Sequence, residues 1–286
     1  MKCGVLCMNY INKRKIGIAL SGGGMRAVIY HLGVLKWLAE NNLMESITYI
    51  SSVSGGSLCA GLIYAHNSNK WPTSRQFLDR VLPAVEDVIM GSDIQKSALL
   101  RMFPFWIHRK VNLLAKVIGK KWGVSGTMAN LDKTPVWCAN CATFETGKRF
   151  GITQNAMGDM VIGYVHNHEF PVSDAMAASS GFPILIGPYA LKRNNYSWSA
   201  SAHEPIQRAR DTSIPGGRFY HLWDGGVYDN LGLDALFHMS SRPSGGHLLH
   251  GIDHIIVSNA GTLSRFKKRA FSTSPRRLLD RECCSK

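Results

Sequence analysis

The sequence predicts an α/β fold of three layers, with a mostly parallel central sheet between helices. Ile16–Leu20 is a short, continuous apolar run, the pattern of a strand buried on both faces. A second run, Ile47–Val53, follows a segment of helical periodicity. Both runs end in small residues that open onto another helical segment, and this β–α–β–α alternation argues for parallel pairing.

The elements follow in order. Met25 to Glu40 places Val28, Leu32, Leu35 and Trp37-Leu38 at helical spacing, and Asn41-Asn42 stops it. Gly55 to Ala65 forms the helix behind the second strand. From Trp71 to about Gly126 the pattern is mainly helical. Val81–Ile89 is amphipathic, and an aromatic cluster at Phe103, Phe105 and Trp106 precedes Arg109-Lys110. Val111–Trp122 reads as a short basic amphipathic helix, which suits either a membrane interface or a cap packed on the core. Thr134–Ala142 and Lys148–Thr153 read as strands joined through Glu145-Thr146-Gly147. Val172–Ser180 is a small-residue helix stopped by Gly181-Phe182-Pro183, and Lys192–Gly217 is polar enough to be an exposed loop. Arg218–Leu222 is a strand that delivers Asp224, and His254–Ser258 is a last core strand. The expected organisation is an extension (1–14), one domain (15–261) with a basic helical insert around 71–126, and a flexible basic tail (262–286).

The chain has 286 residues, a formal net charge of +14 and a pI near 9.6. Such a balance favours anionic partners, either nucleic acid or an acidic membrane surface. No nucleic-acid motif accompanies the charge, so no nucleic-acid partner is expected and the membrane surface is preferred. The seven cysteines show no framework spacing, which suggests a reducing compartment. No apolar run reaches the ~18 residues of a membrane span. The expectation is a cytoplasmic protein bound peripherally to membranes. Cys138 and Cys141 form a lone CxxC on a strand, where positions three apart face opposite ways, so neither metal nor cofactor is expected.

Three segments carry chemistry. Ser54 lies in Ser52-Val53-Ser54-Gly55-Gly56, between strand and helix, where a sharp turn lifts a hydroxyl out of the backbone beside free N–H groups. Gly22, Gly23 and Gly24 offer consecutive N–H groups at the start of the Met25 helix, which suits an oxyanion hole with Gly55. The same run formally matches a dinucleotide-binding fingerprint, but the next strand ends in Ser52-Val53-Ser54 and lacks the acidic residue that fingerprint needs. Asp224, before Gly225-Gly226, should stand at a strand's carboxyl end, where ligand sites of open α/β sheets form. His31 and His221 read as structural, which makes a Ser–Asp dyad the simplest constellation.

Taken together, Ser21-Gly22-Gly23-Gly24-Met25-Arg26, Ser52-Val53-Ser54-Gly55-Gly56, Asp174–Pro183 and Asp224-Gly225-Gly226 resemble the patatin-like phospholipase family, in that family's order. The resemblance implies a lipid acyl hydrolase without catalytic metal, acting on phospholipid or other acyl-lipid substrates and related in mechanism to the cytosolic phospholipases A2. It implies Ser54 as nucleophile, Asp224 as its activator and Gly22–Gly24 as oxyanion hole, with Arg26 orienting a phosphate or the glycine loop. An acyltransferase, a neutral-lipid lipase or a silent lipid-binding protein of the same fold is the alternative. One departure stands out. The family usually has Gly two residues before the nucleophile, and here Ser52 should crowd the turn slightly.

Overall fold

Strand β1 (Ile16–Leu20) is buried along its whole length, because both faces of a parallel core strand are covered. The computed structural model describes residues 14–91, 110–181, 187–199, 217–238 and 252–261. The further strands are β2 (Ile47–Val53), β3 (Val136–Thr143), β4 (Arg149–Ile152), β5 (Ala156–Asp159), β6 (Gly163–His166), β7 (Tyr189–Lys192), β8 (Phe219–Asp224) and β9 (His254–Ser258). The helices are α1 (Gly24–Glu40), α2 (Gly55–Ala65), α3 (Leu82–Gly91), α4 (Lys110–Trp122), α5 (Val172–Ser179) and the short α6 (Asp234–His238).

The sheet order is β6-β5-β4-β3-β2-β1-β9, with β8 on β3 and β7 on β8. Strands β9, β1, β2 and β3 pair in parallel, with β1 and β2 in the interior. Strand β9 stands at the end of the described order, where Val257 is exposed rather than in the core the sequence predicts. Beyond β3 the pairing turns antiparallel. The α/β class and the layered architecture are those the sequence predicts, and the antiparallel wing is fuller than the single hairpin it signals. Ile16, Ile18 and Leu20 point to the face covered by α1 to α5. Ala19 and Tyr49 point to the other face, with Cys138, Ile252 and Ala235 and Leu236 of α6.

The segment read as an insert joins this same core. Phe77, Val81 and Val85 pack with α1 and α2, and Val111, Ala115, Ile118 and Trp122 of α4 are buried. Helix α4 therefore packs on the core, against α5, while Lys116, Lys120 and Lys121 remain exposed. The aromatic cluster Phe103–Trp106, residues 1–13 and the basic tail lie outside the described residues. The loop expected over 192–217 begins as structure: Lys192 closes β7, and Trp198 stacks edge-on against Tyr220 at 5.2 Å. The remaining expected loop residues up to 216 lie outside the described residues. Cys138 and Cys141 are free thiols in clusters on opposite faces of the sheet, as their spacing predicts.

Candidate active site

Register on β3 brings the site together. Strand β2 pairs with β3 up to Val53 opposite Asn140. Strand β8 pairs antiparallel with Cys141–Thr143, with Asp224 opposite Cys141. Because β4 holds the other edge of β3 over Ala139–Ala142, β8 must lie on the edge that β2 vacates. The ends of β2 and β8 thus meet head to head on adjacent rungs. Ser54, one residue past β2, arrives beside Asp224, the last residue of β8, although 170 positions separate them.

Ser54 has φ 50° and ψ −117°, a left-handed conformation that non-glycine residues rarely adopt and that costs about 1–3 kcal/mol. The turn is tight because α2 starts immediately afterwards. A Cβ on Gly56 would collide with the Leu20 carbonyl, and one on Gly55 with the Gly24 carbonyl. Only glycines let α2 approach both β1 and the glycine run this closely. The Ser54 N–H is held at the end of α5, 3.1 Å from Ser179 Oγ and 3.2 Å from the Ser179 carbonyl. Ser52, the departure in this turn, is fully buried. Its hydroxyl accepts from Trp137 Nε1 and meets Ser57 Oγ, both at 2.8 Å. The hydroxyl is bonded on both sides, so the crowding expected there is offset by hydrogen bonds.

Asp224 is buried, and burial pushes its pKa above the ordinary carboxylate value. Hydrogen bonding from the Gly226 N–H, at 2.7 Å, and from the Ser54 hydroxyl pulls the other way without cancelling the effect of burial. The Asp224 backbone is fixed as well, its N–H donating to the Gly181 carbonyl at 3.0 Å.

The glycine run lies across from this pair. The Gly22 N–H donates to the Asn230 carbonyl at 3.0 Å, so that donor is engaged, and a Cβ on Gly22 would sit 3.4 Å from Ser54 Cβ. Gly24 begins α1 and Gly55 begins α2, so both N–H groups belong to first turns, where helices leave donors without intrahelical partners. Gly23 and Gly24 are exposed, and Arg26 is exposed on the first turn of α1.

His31 is buried below the glycine run. Its Nε2 lies 2.8 Å from the Ser21 carbonyl, which can only accept, so Nε2 carries the proton. Its Nδ1 accordingly accepts from the Ser258 hydroxyl at 2.7 Å. Burial lowers the His31 pKa, and the bond to Ser21 opposes that shift. His221 Nδ1 bonds to Glu145 at 2.7 Å, and its backbone N–H donates to the same carboxylate. Both histidines are held by other groups, which agrees with their structural reading. Asn230 was not singled out by its sequence. It binds Gly22 through its carbonyl and its side chain lies against both Gly22 and Gly226, a tie between segments about two hundred residues apart. No local pattern signals such a role.

The geometry defines a class: an α/β sheet with a strand–serine–helix elbow at the carboxyl end of its parallel strands. A family model described as Patatin-like phospholipase matches residues 18–237. The chain belongs to the patatin-like phospholipase family. A 54-residue stretch is 43% identical to the cytosolic phospholipase A2 gamma of Mus musculus, covering 19% of this chain and 9% of that protein. A 63-residue stretch is 41% identical to a lysophospholipase of Penicillium chrysogenum, covering 18% and 10%. The matches thus span about a tenth of the length of these curated relatives. Among solved structures, human GIVD cytosolic phospholipase A2 superposes with a TM-score of 0.52 at 14% identity, over 78% of this chain and 41% of that one. That likeness is one of fold.

Proposed function

We propose that this protein is a metal-independent lipid acyl hydrolase that cleaves fatty-acyl esters of phospholipids through a Ser54–Asp224 dyad. One observation carries the reading: a serine in a strained elbow faces a buried carboxylate. Asp224 as base takes the hydroxyl proton as Ser54 Oγ bonds to the ester carbonyl carbon. The carbonyl oxygen becomes an oxyanion and receives the N–H groups of Gly23, Gly24 and Gly55. Gly22 shapes the loop, its own N–H being engaged by Asn230. When the tetrahedral adduct collapses, the C–O bond to the leaving alcohol breaks and the Asp224 proton passes to that oxygen. Water then loses a proton to Asp224 as it attacks the acyl carbon; the C–O bond to Ser54 Oγ breaks, the proton on Asp224 returns to that oxygen, and the fatty acid leaves.

Phospholipid as substrate is supported by the family and by the phospholipase and lysophospholipase relatives. Arg26, beside the glycine run, has the charge to orient a phosphate. The net charge of +14 favours docking on an anionic membrane surface from the cytoplasmic side. No helix among the described residues is long and apolar enough to cross a membrane.

The test is fluorophosphonate labelling alongside fatty-acid release from phospholipid in metal-free buffer. Wild type should label and release, and Ser54→Ala and Asp224→Asn should do neither. A folded wild type that stays unlabelled and inactive would overturn the dyad.

A further inference from the structure

Beneath the elbow runs a line of buried hydroxyls that the reaction above does not use. Trp137 Nε1 meets Ser52 Oγ at 2.8 Å, Ser52 Oγ meets Ser57 Oγ at 2.8 Å, and Ser57 Oγ meets Ser179 Oγ at 2.8 Å. Ser179 Oγ donates to the Asn140 carbonyl at 2.7 Å. All four side chains are fully buried. They come from β2, β3, α2 and α5, the elements that converge on Ser54.

The proton order in this line follows from its ends. An indole nitrogen can only donate and a carbonyl can only accept. With Ser179 donating to Asn140, its oxygen must accept from Ser57, and Ser57 must in turn accept from Ser52. The protons therefore run one way, Trp137 to Ser52 to Ser57 to Ser179 to Asn140. Ser179 Oγ has one lone pair left, and the Ser54 N–H fills it at 3.1 Å. The donor that fixes the backbone of the strained residue, shared with the Ser179 carbonyl at 3.2 Å, thus ends in part on the last hydroxyl of a line that starts at Ser52.

We propose that Ser52, Ser57 and Ser179 form a brace that positions the Ser54 backbone in its reactive conformation, with Ser52 as its first hydroxyl. The proposal rests on Ser54 being the nucleophile. The three serines are positioning residues, since none of them touches Asp224 or the glycine run through a hydrogen bond described above. The brace also accounts for Ser52 at the position where the family resemblance leads to an expectation of Gly. Removing its hydroxyl leaves the Trp137 N–H buried without its partner and lets Ser57 rotate away from Ser179. A hydroxyl line of this kind acts as a unit, so losses from cutting it at two points should not multiply.

The experiment measures fluorophosphonate inactivation, separating the maximal rate from the probe's apparent affinity, together with melting temperatures. The proteins are wild type, Ser54→Ala, Ser52→Gly, Ser52→Ala, Ser57→Ala and the Ser52→Ala/Ser57→Ala pair. Each brace variant should lose about tenfold in maximal rate at unchanged probe affinity. The double variant should lose no more than Ser57→Ala alone. Ser52→Ala keeps the proposal testable if Ser57→Ala fails to fold, because it removes the hydroxyl alone, and Ser52→Gly beside it shows whether the Cβ and its crowding matter. Wild-type rates in folded Ser52→Ala, or losses that multiply in the double variant, overturn the brace. An unlabelled wild type would instead overturn the nucleophile reading itself.

Discussion

Asp224 is where burial and reactivity meet. A carboxylate moved out of water prefers its proton, so the folded pKa lies above the unfolded one. Between those two values the unfolded chain binds fewer protons than the folded one, so stability falls as pH rises through this window. Above it, the ionised group costs stability in full. Asp224→Asn should therefore raise the melting temperature at neutral pH while abolishing turnover. The gain should shrink below the ordinary carboxylate value of 3.8, where wild type is protonated in both states. Calorimetry at pH 7 and pH 3.5 checks this, and a lower melting temperature at pH 7 would contradict it. The same shift sets the activity profile: the acid limb of phospholipid cleavage should lie above the ordinary carboxylate range, since the base must be ionised.

At the scale of elements, the site depends on close approach between β1, α1, α2 and β9. The Gly56→Ala Cβ would press on the Leu20 backbone, which cannot give as a flexible side chain would. That variant should be destabilised by about 2 kcal/mol or more in urea denaturation and should lose labelling with it. An unchanged denaturation midpoint would show that α2 can retreat without cost. His31 ties α1 to β9 through Ser258 and to the glycine run through Ser21. Its folded pKa is lowered from 6.5, so the unfolded chain takes up more protons below that value and stability falls as pH drops through it. His31→Gln, which keeps a donor and an acceptor, should flatten the fall in melting temperature from pH 6.5 downward. A fall as steep as wild type would place the responsible proton elsewhere.

Across the whole molecule, charge is the property that reaches furthest. A net +14 acts on an anionic bilayer through a field that salt screens within about 8 Å at physiological ionic strength. Binding to phosphatidylserine-containing vesicles should weaken about tenfold or more between low and high salt, measured by co-sedimentation. Affinity that ignores salt would remove electrostatics from membrane docking.

Strands β1, β2 and β9, the helices that follow the first two, and the identity of the residues around the elbow are legible in the sequence. Each of these is a local pattern: an apolar run, a 3.6-residue period, or a glycine where the backbone must turn. The short strands β5, β6 and β7 left weak marks, because four residues cannot show a period and their stability comes from partners across the sheet. The two readings of α4 were likewise equal in sequence, since an amphipathic helix shows which face is apolar but not what covers it. Packing in three dimensions settled that Val111 and Trp122 face the core. It also decided that β8 fills the edge of β3 that β2 leaves open, that Asn230 rather than substrate holds the Gly22 N–H, and that Ser52 is bonded on both sides. Such contacts join residues tens to hundreds of positions apart, and their energy depends on distances that no local pattern encodes.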